Sequence, residues 1–106
     1  MKVAFVSGAY NSPHIFKTLV NIWKARRVAK RLWNEGWAVI CPHTNSGLFG
    51  DKSLRYYFLH GYISILDRLD PKCDIVYMLK GWQKSQGARA EWTRARMKGM
   101  KIIYQR

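Results

Sequence analysis

Four short apolar runs, separated by stretches of helical periodicity, constrain this chain more than any other feature. Lys2 to Ser7 is apolar through Val3, Ala4, Phe5 and Val6 and ends at Ser7-Gly8, the pattern of a buried strand entering a tight turn. Trp37 to Cys41, closed by Pro42, Asp74 to Leu79, and Lys101 to Tyr104 repeat that pattern. From His14 to about Glu35, apolar residues recur at helical spacing: Ile15, Leu19 and Ile22, then Phe16, Val20 and Trp23, and later Val28 and Leu32. Lys17, Lys24, Arg27, Lys30 and Arg31 take the outer face. Ser12 is placed to cap this helix with Pro13 at its first position, and Gly36 stops it. Leu54 to Leu69 is a second helical stretch, weakened at Gly61 and ended by Asp70-Pro71. Gly87 to Lys98 is a third, stopped by Gly99. His43 to Lys52 and Gly81 to Gln86 read as loops.

The order is therefore β-α-β-α-β-α-β. Strands alternating with helices imply a parallel sheet with right-handed crossovers, and continuous apolar strands imply helices on both faces. The simplest solution is a doubly wound, Rossmann- or flavodoxin-like three-layer sandwich, its four strands ordered 2-1-3-4. In such a sheet the switch point lies between strands one and three, and ligands enter the crevice at their carboxyl ends. Ser7-Gly8-Ala9-Tyr10 and Gly81 to Gly87 are the loops that frame it.

At 106 residues the chain is expected to form a single domain, 1–106. No apolar run approaches the roughly 20 residues of a membrane span, and the first residues are too short for a signal peptide, so a cytoplasmic protein is expected. Cys41 and Cys73 have no CxxC spacing and read as reduced structural thiols. Cys41 and His43 lack companions for a tetrahedral zinc site, so neither a metal nor a cofactor is expected. The net charge of +13 favours an anionic partner: a phosphorylated metabolite, nucleic acid or an acidic protein. No helix-turn-helix or RNP-like pattern is present, which places nucleic acid behind a small phosphorylated ligand. Any carboxylate chemistry must come from Glu35, Asp51, Asp67, Asp70, Asp74 and Glu91, the six acids present.

The most unusual segment is Gly81-Trp82-Gln83-Lys84-Ser85-Gln86-Gly87-Ala88-Arg89-Ala90-Glu91. Ser85 is placed to cap the last helix, where its hydroxyl and the amides of Gln86, Gly87 and Ala88 form an anion site at the positive helix end. Glu91 shares a helix face with Ala88 and Ala95, an odd setting for a carboxylate. Composition alone leaves Glu91 equally readable as a solvated charge pairing with Arg94 or Arg96.

Gly-Trp-x-x-Ser-x-Gly-Ala-x-x-Glu, following an apolar strand that begins at Asp74, resembles the signature of the nucleoside 2-deoxyribosyltransferase-like superfamily, above all its short bacterial and phage members. Val6-Ser7-Gly8-Ala9-Tyr10 is similar to that family's first strand and Gly-Pro-Tyr turn, with Ala9 in place of the proline. Gly36 to His43 is similar to its second strand and loop. The resemblance implies an N-glycosidase acting on a nucleoside or nucleotide. Glu91 then attacks the anomeric carbon, Ser85 with Gly87 holds the 5′ phosphate or hydroxyl, and Tyr10 orients the sugar. Ser7, Gly8, Ala9 and Ala88 line the same subsites. The family's second aspartate falls, by spacing from Asp74, on Leu66 beside Asp67; Asp67 is the candidate, and Tyr62 the alternative if the helix carries an insertion. The resemblance also implies a homodimer or larger oligomer whose neighbouring subunit completes the pocket, with Trp92 and Tyr56-Tyr57-Phe58 available for an interface.

Five further readings complete the set. Asp74 reads as a local cap. His43 and Asn45 follow the second strand at the carboxyl edge, within reach of a base or sugar, and Trp82 has the best claim to stack on a base. Arg89, Arg94, Arg96, Lys98, Lys101 and Arg106 read as a solvated basic face, a subunit interface or an anion-binding surface. A nucleotide-binding module without turnover is the alternative to the enzyme.

Overall fold

The computed structural model describes residues 1–10, 14–47 and 52–106. Its strands are β1 (Val3–Ser7), β2 (Ala38–Ile40), β3 (Ile75–Met78) and β4 (Lys101–Tyr104), paired in parallel in the order β2-β1-β3-β4. The helices are α1 (Ile15–Asn34), a single turn α2 (Pro42–Asn45), α3 (Arg55–Asp67) and α4 (Gln86–Met97). This is the doubly wound architecture expected from the alternation of runs.

Strand alternation sorts the core into two layers. Ala4 and Val6 of β1, with Ile75 and Tyr77 of β3, face Ala25, Val28, Ala29 and Leu32 of α1. Phe5, Val76 and Met78 face Tyr62 and Leu66 of α3 and Ala88 and Ala95 of α4. Ser7 lies two residues beyond Phe5 and so points to the α3–α4 side, where it is fully buried. Alanines on α1 and α4 bring both helices close to the sheet. Gly36, at φ 95°, supplies the left-handed residue that ends α1.

Three local readings change. Ile15, Phe16, Leu19 and Trp23 are exposed, because the buried arc of α1 is set by Thr18, Ala25, Val28, Ala29 and Leu32 and the larger residues fall outside it. The segment after β2 is not all loop: α2 begins at Pro42, and a 3-10 turn spans Lys52–Leu54. A second 3-10 turn, Trp82–Lys84, interrupts the loop before α4. The expected cap Ser12-Pro13 lies outside the described residues, as does Asp51; the described helix begins at Ile15 with His14 at its cap position. Among the described residues no helix is long and apolar enough to cross a membrane. Both cysteines are free, Cys41 buried and Cys73 exposed.

Asp74 ties the amino edge of the sheet together. Its carboxylate accepts from the Val3 amide at 2.8 Å and from the Asp70 amide at 2.8 Å, joining the start of β1 to the turn before β3. Burial alone would raise this carboxyl, but the Asp70 and Val3 amides, with the Cys73 thiol and the N-terminal charge, hold it below its ordinary value. Its stabilisation is therefore present above the unfolded-state pKa and lost as pH falls through the folded one. Asp74→Ala should lower the unfolding free energy near neutrality by about 2–4 kcal/mol, two charge-assisted bonds being lost. Urea titration at neutral and acid pH checks this, with the gap between wild type and variant narrowing in acid.

Candidate functional site

The carboxyl ends of β1 and β3 meet at Ser7 and Met78, which pair across the sheet. The Leu79 amide donates to the Ser7 carbonyl at 2.8 Å, carrying the pairing one residue further. Gly8 then passes directly over Leu79. A methyl group at this position would lie 2.6 Å from the Leu79 Cβ, so the turn can be this close only with glycine.

Beneath this junction lies Glu91. In the second turn of α4, one helix face carries Ala88, Glu91 and Ala95, and all three are buried. The Ser7 hydroxyl donates to Glu91 Oε1 at 2.6 Å, and the residue is 7% exposed. No cation pairs with it among the described residues. Burial dominates and pushes the carboxyl up to about 7, against the opposing pull of the Ser7 hydrogen bond. A carboxyl so placed exists in both protonation states near neutrality, the condition for nucleophilic or general acid-base work.

Ala9 and Tyr10 are held from α2 and α1. His43 is 2% exposed, and its Nε2 lies 2.9 Å from the Ala9 carbonyl; since a carbonyl only accepts, Nε2 carries the proton. Burial lowers the imidazole pKa and keeps the ring neutral. The Tyr10 ring stands edge-on to His43 at 5.8 Å between centroids, and Asn21 Nδ2 donates to the Tyr10 carbonyl at 3.2 Å. His43 thus positions the turn that follows β1 through Nε2, while its buried Nδ1 has no hydrogen-bond partner among the described residues.

Ser85 caps α4 as expected, its Oγ accepting from the Ala88 amide at 3.2 Å. That bond takes the Ala88 amide out of the anion site read from sequence and leaves those of Gln86 and Gly87 at the helix end. Around Gly87 the space is open: an added methyl would meet nothing nearer than Ser85 Oγ at 3.9 Å.

Three candidates are engaged by other partners. Asp67 ends α3, which delivers the chain to the amino edge of β3, so it sits at the opposite edge from Ser7. There it is held by Arg94 in a two-pronged ion pair at 2.6 and 2.9 Å, and the Arg94 hydrogen bond lowers its pKa. The β-α-β order already implies this placement, since a helix that feeds a parallel strand ends at the amino edge of the sheet, opposite the crevice. Trp82 stacks on Trp92 of α4 at 5.2 Å and tilts against Tyr104 of β4, so part of its ring surface is taken up within the protein. Asn45 is exposed but donates to the Tyr62 hydroxyl at 2.9 Å, which in turn donates to Ser46 at 2.8 Å. A groove of about 230 Å³ opens beside this trio, lined also by Tyr57, Phe58 and Ile65.

Leu79, Asn21 and Ser46 were not singled out in sequence. Asn21 had a signal: with Thr18, it places polar groups on the arc of α1 that faces inward. The basic C-terminal residues are partly engaged internally, since Arg89 donates to the Gln83 carbonyl and Arg96 lies over Trp92.

Fold and site together define a doubly wound α/β protein with a buried carboxyl beneath its switch point, hydrogen-bonded to Ser7 and without a cation partner among the described residues. The chain belongs to the family described as Domain of unknown function (DUF4406), whose model matches residues 20–104. That match takes in Glu91, Ser85 and His43 and begins after the Ser7–Tyr10 turn. Comparisons with curated proteins and with solved structures returned no match.

Because the folded pKa of Glu91 is raised from 4.5 to about 7, the unfolded chain ionises first as pH rises across that window. The stability contributed by the neutral carboxyl is present below the lower value and lost through the upper one. Glu91→Gln keeps an acceptor for Ser7 and removes the titration. It should match wild type at acid pH and exceed it above pH 7 by up to about 3 kcal/mol. Melting curves across pH test this; a gap that does not change with pH would contradict it.

Proposed function

We propose that this chain is an N-glycosidase acting on (deoxy)nucleoside 5′-monophosphates, as its resemblance to the nucleoside 2-deoxyribosyltransferase-like superfamily implies. One observation carries the reading: Glu91 is turned into the protein and meets Ser7 at the end of the first strand, at the edge where a doubly wound sheet takes ligands.

The Glu91 carboxylate attacks the anomeric carbon, and the carbon–nitrogen bond to the base breaks with its electron pair leaving on the base, which takes a proton from water. Water then releases the sugar and restores the carboxylate, or a second base takes the sugar in a transfer. Ser7 holds Oε1 and leaves Oε2 to attack. The hydroxyl of Ser85 and the amides of Gln86 and Gly87 receive the 5′ phosphate, as helix ends receive anions. Tyr10, fixed through Asn21 and His43, orients the sugar. A second copy of the chain completing the pocket belongs to the same proposal.

Incubation with a panel of deoxynucleoside and ribonucleoside monophosphates should release free base, read by chromatography. Glu91→Ala should lower the rate on the order of a thousandfold or more. The rate should rise with pH as Glu91 ionises near its value of about 7, and Ser7→Ala, which removes the bond that lowers that value, should move the midpoint to higher pH. Base release from none of the panel would sink the enzyme.

The engagement of Asp67 by Arg94 favours a second reading, a nucleotide-binding module without turnover, since it leaves Glu91 without a companion carboxylate at the crevice among the described residues. Calorimetry separates the two: this reading expects heat of binding with a deoxynucleoside monophosphate and no free base.

A further inference from the structure

A helix turns about 100° per residue, so the buried residues Ala25, Val28, Ala29 and Leu32 fix which side of α1 faces away from the sheet. Phe16, Leu19, Trp23, Arg26, Arg27 and Lys30 fall on that outward side. Phe16 is 77% and Trp23 56% exposed, a placement opposite to what burial of apolar surface would select. Trp23, Arg26, Arg27 and Lys30 line an open groove of about 210 Å³. The Arg27 guanidinium lies over the Trp23 ring, 4.9 Å from its centroid.

The charge here is uncompensated. Among the described residues no carboxylate pairs with Arg26, Arg27 or Lys30, and the helix's own acid, Glu35, is taken by Arg31 at 3.5 Å. Arg26 and Lys30 stand four residues apart, where like charges destabilise a helix. A site made of cations interleaved with an exposed aromatic ring has the chemistry of a surface that holds phosphates and stacks bases.

We propose that this groove binds single-stranded nucleic acid, with Arg26, Arg27 and Lys30 on successive phosphates and Trp23 stacked on a base. Phe16, about 10 Å further along the helix axis, offers a second ring to the same strand. A paired duplex hides the base faces these rings need. A second copy of the chain seated on this groove would set these cations against cations. A lipid surface is met by helices with cations on the face opposite the apolar one, whereas here ring and cations share one face.

The test measures fluorescence anisotropy of a labelled oligothymidine of about 15 nucleotides, a length suited to one small site. Four proteins are compared: wild type, Trp23→Ala, a charge variant (Arg26→Gln, Arg27→Gln, Lys30→Gln), and a control with the same charge removed elsewhere (Lys72→Gln, Lys101→Gln, Arg106→Gln). All of these positions except Lys30's neighbour Trp23 are polar, and all are exposed, so circular dichroism should be unchanged across the set. Wild-type affinity should fall roughly 20-fold between about 50 and 200 mM salt, the response to three neutralised phosphates on a single strand. Trp23→Ala should weaken binding about tenfold, as loss of one stacked base does. The groove variant should weaken it at least as much and flatten the salt dependence, while the control stays close to wild type. Equal losses in groove and control variants would reduce the interaction to net charge and overturn the proposal. So would absence of oligonucleotide binding at low salt, or binding only to vesicles containing phosphatidylserine.

Discussion

The hydrogen bond from Ser7 to Glu91 joins the end of the first strand to the second turn of the last helix, and much of the surrounding architecture is shaped to permit it. A carboxyl can be taken out of water only if it is partnered or neutral, and here it is both hydrogen-bonded and raised toward neutrality. Ala88 and Ala95 on either side leave α4 near enough to the sheet for the short serine side chain to reach. Gly8 lets the chain turn away immediately above, against Leu79, without opening the junction. Replacing this pair with apolar residues would give a more conventional core. Their presence at a switch point is the reason to look for chemistry there.

The fate of the other acids sharpens that reading. Asp67 is held by Arg94, Glu35 by Arg31, and Asp74 by two backbone amides, while Asp70 caps the Lys72 amide at 2.9 Å. Each of these has a local structural partner that explains it. Among the described residues Glu91 has a neutral hydroxyl and no cation as partner, in a chain with nineteen lysines and arginines from which one could have been drawn. A purely structural carboxyl would be expected to gain from one of those cations, so its isolation from charge is informative. It keeps the carboxyl titrating near neutrality, where a fixed cation beside it would hold it ionised.

Much of this was readable in advance because it rests on periodicity. Apolar runs alternating with helical segments gave the strand order, while the face shared by Ala88, Glu91 and Ala95 left Glu91 readable as inward or solvated, and the resemblance to the nucleoside 2-deoxyribosyltransferase-like superfamily favoured the inward reading. What periodicity lacks is direction and depth. Asp67 was close to the right spacing, but a helix running back across the sheet puts its last residue at the edge away from the crevice. Trp82 lay in the right loop, yet its ring found Trp92 and Tyr104, contacts set by the third dimension. On α1 the apolar residues outnumber what one face can bury. The small residues Thr18, Ala25 and Ala29 won the interior because they permit close approach, a choice that hydropathy alone reverses.

That choice follows from the unequal layers. One helix covers the first face of the sheet, and two cover the second. To serve a whole face, α1 must lie low across β1 and β3, which favours alanine at the contact and leaves no room beneath it for Trp23 or Phe16. Its reach over β3 is completed by a charged residue: Arg31 lays its guanidinium 5.5 Å from the Tyr77 ring centre and donates to the Tyr77 hydroxyl at 2.8 Å. The long apolar stem of arginine can cover a ring while its head stays wet. The same property lets Arg27 sit over Trp23 on the outer side, where there is no strand to cover. On the inner side the arrangement finishes a core. On the outer side the Trp23 ring stays exposed, which leaves ring and cation open to the single strand proposed for this groove.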